Sequence, residues 1–313
     1  MTAISREILE ISNDLGNAVI KAALKKENIF TCEKMDNRVQ VTRTGNPREI
    51  RFQREGESEI VFGVGNLQNN KLKHKREFLL EQSLTISSKL IKEDKFKMNL
   101  RVALPPVEYF NDTYVTKYKD QFKLGLHKFK INNIDKEIEI CDVKVYMEGY
   151  SALLDILKNI KTTNNLLLFD LGGGTLDCIE VIYNRREKTF FPNRAESVRK
   201  GTIDLYKCIV DDINKNGNSV KLEWVEDAID DKEDIINSRY SISENLSSAK
   251  VELKSMLNDI SNKLECSLKE YDIICVGGGT TIFNMLYDNE YKNLIQSGLT
   301  DTLYSNAVGM LEQ

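Results

Sequence analysis

The stretch EILEISNDLGNAVIKAAL, Glu7 to Leu24, places apolar residues at strand period on both sides of a polar break. This predicts a strand, a turn at Asp14 to Asn17 and a returning strand from Val19 to Leu24. A polar, strand-prone region follows from Asn28 to about Gly65, with TRTGNPRE and QREGESE as turns. LKHKREFLLEQSLTISSKLIKE then has helical apolar spacing, MNLRVALPP is a strand stopped by Pro105 and Pro106, and EYFNDTYVTKYKDQF is a helix. A short strand pair ends in CDVKVYME, and the helix GYSALLDILKNI leads into LLLFDLGGGTLDCIE, Leu166 to Glu180. There an apolar run ends in an aspartate, three glycines follow, a second aspartate closes the turn, and CIEVIYN returns as a strand.

Beyond it, KGTIDLYKCIVDDIN, the acidic and solvated EWVEDAIDDKEDIIN, and ISENLSSAKVELKSMLNDISNKLECSL read as helices. The strand YDIICVG opens GGGTTIFNML, and DTLYSNAVGMLEQ closes with a short helical pattern. Strands alternating with helices, with a hairpin near the start of each half, make an α/β protein. Asp14-Leu15-Gly16 and Asp170-Leu171-Gly172 each end one strand and start the next, a weak internal repeat that suggests two related lobes.

The chain has 313 residues, enough for two domains, and its 41% apolar fraction is that of a folded soluble protein. With 44 basic and 48 acidic residues the net charge is -4, so no global basic field argues for wrapping nucleic acid. No apolar run approaches the roughly 18 to 20 residues that cross a bilayer, and MTAISREILEIS does not read as a signal segment. The expected location is cytoplasmic. The six cysteines form no CxxC pair, and the two histidines stand apart, which argues against a zinc site or a Ser/His/Asp triad. KLKHKR (Lys71 to Arg76) reads as the solvated flank of the following helix, and EDAIDDKED as a solvent face. In a polymer these opposite charges could meet between subunits.

Chemistry concentrates in the glycine turns. Glycines let consecutive backbone N–H groups point into one concavity, which holds phosphate oxygens. Asp170-Leu171-Gly172-Gly173-Gly174-Thr175 supplies that pattern, with a hydroxyl donor in Thr175. Asp14 and Asp170 are hard oxygen ligands suited to Mg²⁺, reached through its waters, and Lys21 could neutralise a β- or γ-phosphate. Asp177 could instead brace the turn. Either DLG alone is also what an ordinary turn looks like; three glycines between strands weaken folding without a compensating use. Gly277, Gly278 and Gly279 follow a strand and open a helix, which suits the nucleoside end of a nucleotide or simply a tight joint. Neither GxxxxGK[ST] nor GxGxxG is present.

DLGNAVIK (Asp14 to Lys21), DLGGGTLD (Asp170 to Asp177) and VGGGTTIF (Val276 to Phe283) resemble the phosphate 1, phosphate 2 and adenosine motifs of the actin, sugar kinase and heat-shock chaperone superfamily. Their order and spacing match over almost the whole chain. EGYSALLDI (Glu148 to Ile156) and SNAVGMLEQ (Ser305 to Gln313) look like its two connecting helices. The compact length, the minimal tail and ISENLSSAKVELKSMLNDISNKLE are most similar to ParM/StbA-type plasmid-segregation proteins, the bacterial actin-like filament formers.

The resemblance implies an α/β, actin-like two-lobed fold, each lobe a mixed sheet with flanking helices and a nucleotide cleft between them. Residues 1–160 with 300–313 would form domain I, carrying an inserted subdomain over about 28–100, and 161–299 domain II. It implies an ATPase using ATP, with GTP as the alternative, and Mg²⁺ held by Asp14 and Asp170 through water. Glu148 would orient or activate the attacking water, with Asp170 as the second catalytic acid. Nucleotide contacts fall to Asp14, Gly16, Asn17, Lys21, Gly172, Gly173, Gly174, Thr175, Gly201, Gly277, Gly278, Gly279 and Thr281. Asn17-Ala18 departs from the small hydroxyl or glycine residues common in the phosphate 1 turn. The implied partners are further copies in a filament and a ParR-like adaptor on centromere-like plasmid DNA, with no direct DNA or membrane contact. A small-molecule kinase and a nucleotide-binding scaffold with little hydrolysis are the alternatives.

Overall fold

A computed structural model describes residues 7–27, 29–67, 72–158, 160–215, 217–287, 294–295 and 303–313. The chain forms two compact units, Met1–Lys158 with Leu303–Gln313, and Asn159–Thr302.

Unit 1 opens with β1 (Ile8–Leu15), β2 (Val19–Lys26), β3 (Ile29–Asp36), β4 (Arg38–Gln40), β5 (Ile50–Gln53), β6 (Ile60–Phe62) and β7 (Asn66–Leu67). Helix α1 (Leu79–Leu90) leads to β8 (Lys95–Leu104), the short helices α2 (Pro106–Tyr109) and α3 (Asp112–Lys119), and the hairpin of β9 (Gly125–Ile131) and β10 (Ile134–Met147). Helix α4 (Tyr150–Ile156) follows. The strands make one ten-stranded sheet in the order β3-β2-β1-β8-β10-β9-β5-β6-β4-β7. Among the described residues of this sheet, only β1 with β8 and β8 with β10 pair in parallel. Segment 29–67 is therefore built into the sheet, with β3 on one flank and β5 joining it at β9. The single helix expected over Glu108 to Phe122 is split because the Asn111 side chain accepts from the backbone N–H groups of Thr113 and Tyr114 at 3.1 and 3.3 Å, starting α3 afresh.

Unit 2 contains β11 (Leu166–Leu171), β12 (Leu176–Asn184), β13 (Thr189–Val198), α5 (Thr202–Asn214), α6 (Leu222–Asp230), β14 (Ile235–Ile236), β15 (Tyr240–Ser241), α7 (Ser247–Leu264), β16 (Asp272–Val276), α8 (Thr280–Leu286) and β17 (Leu294–Ile295). Its five-stranded sheet runs β13-β12-β11-β16-β17. Leu166 to Phe169 are wholly buried because β11 is central, which is why that strand reads as an unbroken apolar run. The first, second and third strands of each unit are antiparallel neighbours, and the first pairs in parallel with the next central strand. The internal repeat read from two DLG turns is thus a repeat of sheet topology.

Two expectations in unit 2 are corrected. Strand β13 was not anticipated, because Pro192 and charged residues interrupt its pattern. As an edge strand it tolerates a proline, and the register shifts opposite Glu180/Val181. The acidic segment is only partly a solvent face: Val225, Ala228 and Ile229 of α6 are buried, and the helix stops where Glu233 N–H bonds back to Ala228 O at 2.7 Å.

The chain returns to unit 1 with α9 (Ser305–Leu311), packed against α4, β1 and β2. Ser12 Oγ donates to Ala307 O at 2.6 Å, and Glu312 accepts from Lys25 at 2.6 Å and Lys158 at 2.8 Å. All six cysteines are free, with Cys178 and Cys275 buried. Among the described residues no helix is long and apolar enough to cross a membrane.

Glu180 ties the unit 2 sheet together, accepting from Arg194 Nε at 2.8 Å, Asn193 Nδ2 at 2.6 Å and Tyr271 Oη at 2.6 Å. The Arg194 bond leads in drawing its pKa from 4.5 down to about 2, against the opposing effect of burial. A lowered folded-state pKa gives stability that is present above the ordinary value and is lost as pH falls through the folded one. The stability difference between wild type and Glu180→Gln should therefore hold steady at neutral pH and shrink as pH drops from 4.5 toward about 2, as read by urea unfolding at several pH values.

Candidate functional site

Asp14 lies one residue before the end of β1, opposite Lys21 on β2. Lys21 Nζ reaches Asp14 Oδ2 at 2.9 Å, and Lys73 Nζ stands 3.6 Å from Oδ1. Burial pushes this carboxyl upward, but Lys21 and Lys73 together outweigh it and hold the group below its ordinary value. Asp14 is therefore a buried carboxylate at neutral pH. Lys73 also pairs with Glu148. Glu148 sits in the turn from β10 to α4, with its N–H donating to Leu104 O at 2.9 Å. The next N–H, of Gly149, donates to Asn306 Oδ1 on α9 at 2.7 Å.

The expectation that KLKHKR is a solvated flank fails for Lys73, His74 and Arg76, while Lys75 is exposed. Lys73–Lys75 form a 3₁₀ turn, and Lys73, His74 and Arg76 are all buried. Arg76 donates to Leu15 O at 2.9 Å and Gly16 O at 3.4 Å, and also bonds the Asn17 side chain. Asn37 Nδ2 donates to Gly16 O at 2.6 Å and is itself held by Gln82 at 2.8 Å. Burial pushes the Arg76 guanidinium down, and Glu148 is the leading charge that opposes it. The physical reason for the correction is charge balance: two inward carboxylates require cations, and the chain takes them from this turn. Lys73 and Arg76 are thus withdrawn from any contact between subunits.

A signal for these residues exists in α1. Gln82, Ser83, Thr85, Ser87 and Ser88 are buried despite their polarity, so SLTISS marks a helix facing polar structure. Asn13 Nδ2, beside Asp14 in sequence, donates to Ser83 Oγ at 2.5 Å and Ser87 Oγ at 3.2 Å.

In unit 2 the second hairpin repeats the register of the first. Leu15 pairs with Ile20 and Leu171 with Leu176, so both turns have the same length and each acid stands one pair inward. Asp170 faces Asp177, where Asp14 faced a lysine. Thr175 Oγ1 donates to Asp177 Oδ2 at 3.1 Å, so Asp177 does brace the turn. Gly172 N–H closes the turn on Thr175 O at 2.9 Å, while Gly173 and Gly174 donate no backbone bond within the described chain.

Other predicted residues gather round this turn. Gly201 precedes α5, whose first N–H groups, from Thr202 and Ile203, donate to Gly172 O and Gly173 O at 2.9 and 3.2 Å. A Cβ on Gly201 would overlap Gly172 O. Gly277, at φ +83°, lies against the Asp170 carboxylate so closely that a Cβ would overlap Oδ1. Gly279 N–H donates to Leu171 O at 2.9 Å. Gly278 and Thr281 continue this segment into α8. Asp14, Gly16, Asn17, Lys21 and Glu148 are therefore assembled in unit 1, and Asp170, Gly172 to Thr175, Gly201, Gly277 and Gly279 in unit 2.

Among the described residues no group of three or more acidic, histidine or cysteine side chains could chelate a metal directly. Asp14 on the unit 1 hairpin and Asp170 on the unit 2 hairpin are each a single hard oxygen donor, the kind of group that a hydrated Mg²⁺ approaches through its waters.

No protein-family model matches the chain, and no curated protein matches it. Solved structures do. An archaeal actin homologue, Ta0583, aligns over 97% of this chain and 98% of its own at TM-score 0.75 and 16% identity. This chain has an actin-like fold. A ParM from a 15-stranded Clostridium botulinum filament covers 97% of this chain and 98% of its own at TM-score 0.67 and 18% identity. An AlfA filament bound to AMPPNP covers 98% and 96% at TM-score 0.64 and 17% identity. The actin-like fold thus spans both units, and all three of the expected strand-to-turn motifs lie within it.

Removing one partner from a buried ion cluster leaves uncompensated charge, at a cost of about 3 kcal/mol or more. Lys73→Met should lower unfolding stability by about that amount in urea denaturation, whereas Lys117→Met, exposed on α3, should change it by less than about 0.5 kcal/mol.

Proposed function

We propose that this chain is an ATPase of the ParM type that assembles into nucleotide-dependent filaments. The observation that carries this reading is the cluster that joins buried Asp14 and Lys73 to half-buried Glu148, in a chain whose fold is actin-like. A carboxylate beside a phosphate-type turn, held in place by a lysine, suits a group that orients attacking water and accepts its proton. ATP is the proposed nucleotide, with GTP the alternative; the AlfA filament bound to AMPPNP supports an adenine nucleotide.

Each residue set has a task in this proposal. The N–H groups of Gly173 and Gly174 bind phosphate oxygens, and Lys21 neutralises phosphate charge. Gly201, Gly277, Gly278, Gly279 and Thr281 serve the nucleoside and α-phosphate end. Asp14 and Asp170 orient Mg²⁺ through water; when bound, the ion screens the charge of the transferring phosphoryl group. Glu148 holds and polarises the attacking water.

Self-association is supported by the filaments of ParM and AlfA among the similar structures. Plasmid segregation through a ParR-like adaptor on centromere-like DNA, in the cytoplasm, completes the proposal, and the net charge of -4 agrees with DNA being engaged indirectly.

The test combines pelleting, negative-stain microscopy and phosphate release. Wild type should sediment as filaments with Mg²⁺ and ATP and release phosphate in step with assembly. Glu148→Ala should still assemble but hydrolyse about a hundredfold more slowly, within the range for a lost general base. Turnover that requires a small acceptor, with no polymer under any condition, would replace the filament reading with a kinase.

A further inference from the structure

Glu108 is a buried acid that no phosphate motif contains. It lies in α2, just after Pro105 and Pro106, and is 4% exposed. Both of its oxygens are directed at the 3₁₀ turn that carries Lys73. Oε1 accepts the Lys73 N–H at 2.8 Å, and Oε2 accepts the His74 N–H at 3.0 Å and faces His74 Nδ1 at 2.6 Å. Gln121 Nε2 adds a bond to His74 O at 2.8 Å, and the Tyr114 ring stacks on His74 with centroids 4.0 Å apart. Three contacts to one carboxylate fix the backbone at the root of the Lys73 side chain. Its ammonium is thereby carried to Asp14 and Glu148, and Arg76 to the Gly16-Asn17 turn.

We propose that Glu108 is a positioning residue for nucleotide triphosphate recognition: it clamps the Lys73 turn so that the ammonium meets the terminal phosphate beside Glu148. The inference rests on the nucleotide reading of the site. Lys73 contacts the two acids assigned to the metal and to the attacking water, so the phosphate it serves is the one undergoing attack. Glu108 makes no such contact and acts only through the turn. Loss of Glu108 should therefore weaken ATP far more than ADP, because ADP lacks the phosphate that Lys73 meets. A role in stability alone would weaken both nucleotides alike.

The experiment measures Kd for ATP and ADP, with Mg²⁺, by calorimetry on the full chain. Wild type, Glu108→Gln, Glu108→Ala, Lys73→Ala and the Glu108→Gln/Lys73→Ala double variant are compared, with thermal unfolding run in parallel. One charge-assisted bond amounts to about ten- to a hundredfold in affinity, so Lys73→Ala should lose about that much of the preference for ATP over ADP. Glu108→Ala should lose a similar share and Glu108→Gln less, since the amide keeps one acceptor. The double variant should discriminate no worse than Lys73→Ala, the non-additivity expected when one residue acts through the other. Should Glu108→Ala fail to fold, Glu108→Gln and its double variant carry the comparison. An unchanged ATP-to-ADP ratio in the Glu108 variants, or additive losses, overturns the inference while the nucleotide reading stands. Absence of nucleotide binding by wild type overturns both.

Discussion

A buried carboxylate must be met by a cation or give up its charge, and this requirement organises unit 1. Asp14 is placed at the end of a central strand by the sheet, and Glu148 at the end of another. Neither strand supplies enough positive charge by itself. Lys21 comes from the adjacent strand, while Lys73 and Arg76 arrive on a turn before α1 that Glu108 holds from the far side. The long excursion through β3 to β7 thus ends at the place where the hairpin needs its cations. In the interior, where an unpaired charge is so unfavourable, the segment has little freedom to sit elsewhere.

The fold was largely legible because its signals are local. Strand period, the LLLFDL run and the glycine turns each depend on a few neighbouring residues, and the strand-to-strand, strand-to-helix order follows from them. The split between α2 and α3 was also local, since Asn111 is a strong helix-starting residue, but the apolar spacing over Tyr109 to Phe122 masked it. Strand β13 was hidden for a different reason. Its position at the sheet edge, which permits Pro192, is a property of the assembled sheet.

The site was legible in its acids, its glycines and Lys21, and opaque in the cations of the turn before α1. Asp14, Asp170 and the triple glycine announce themselves because acids and glycines are unfavourable in strands. Lysines and arginines are at home on any surface, so Lys73, His74 and Arg76 looked solvated until Glu108 and Glu148 were seen facing them. The buried polar face of α1 was the one local indication that the preceding turn lies against a charged interior.

The two hairpins share turn length and strand register yet differ at the residue opposite the acid, Lys21 in one and Asp177 in the other. One position in a duplicated scaffold has thus been given opposite signs of charge. The first hairpin sets its acid opposite a lysine, while the second sets two acids opposite one another. What is held constant is a location in the sheet, and the chemistry written there is free to diverge. That freedom is consistent with an actin-like architecture being kept at 16% identity, since the frame constrains where a residue stands more tightly than which residue it is.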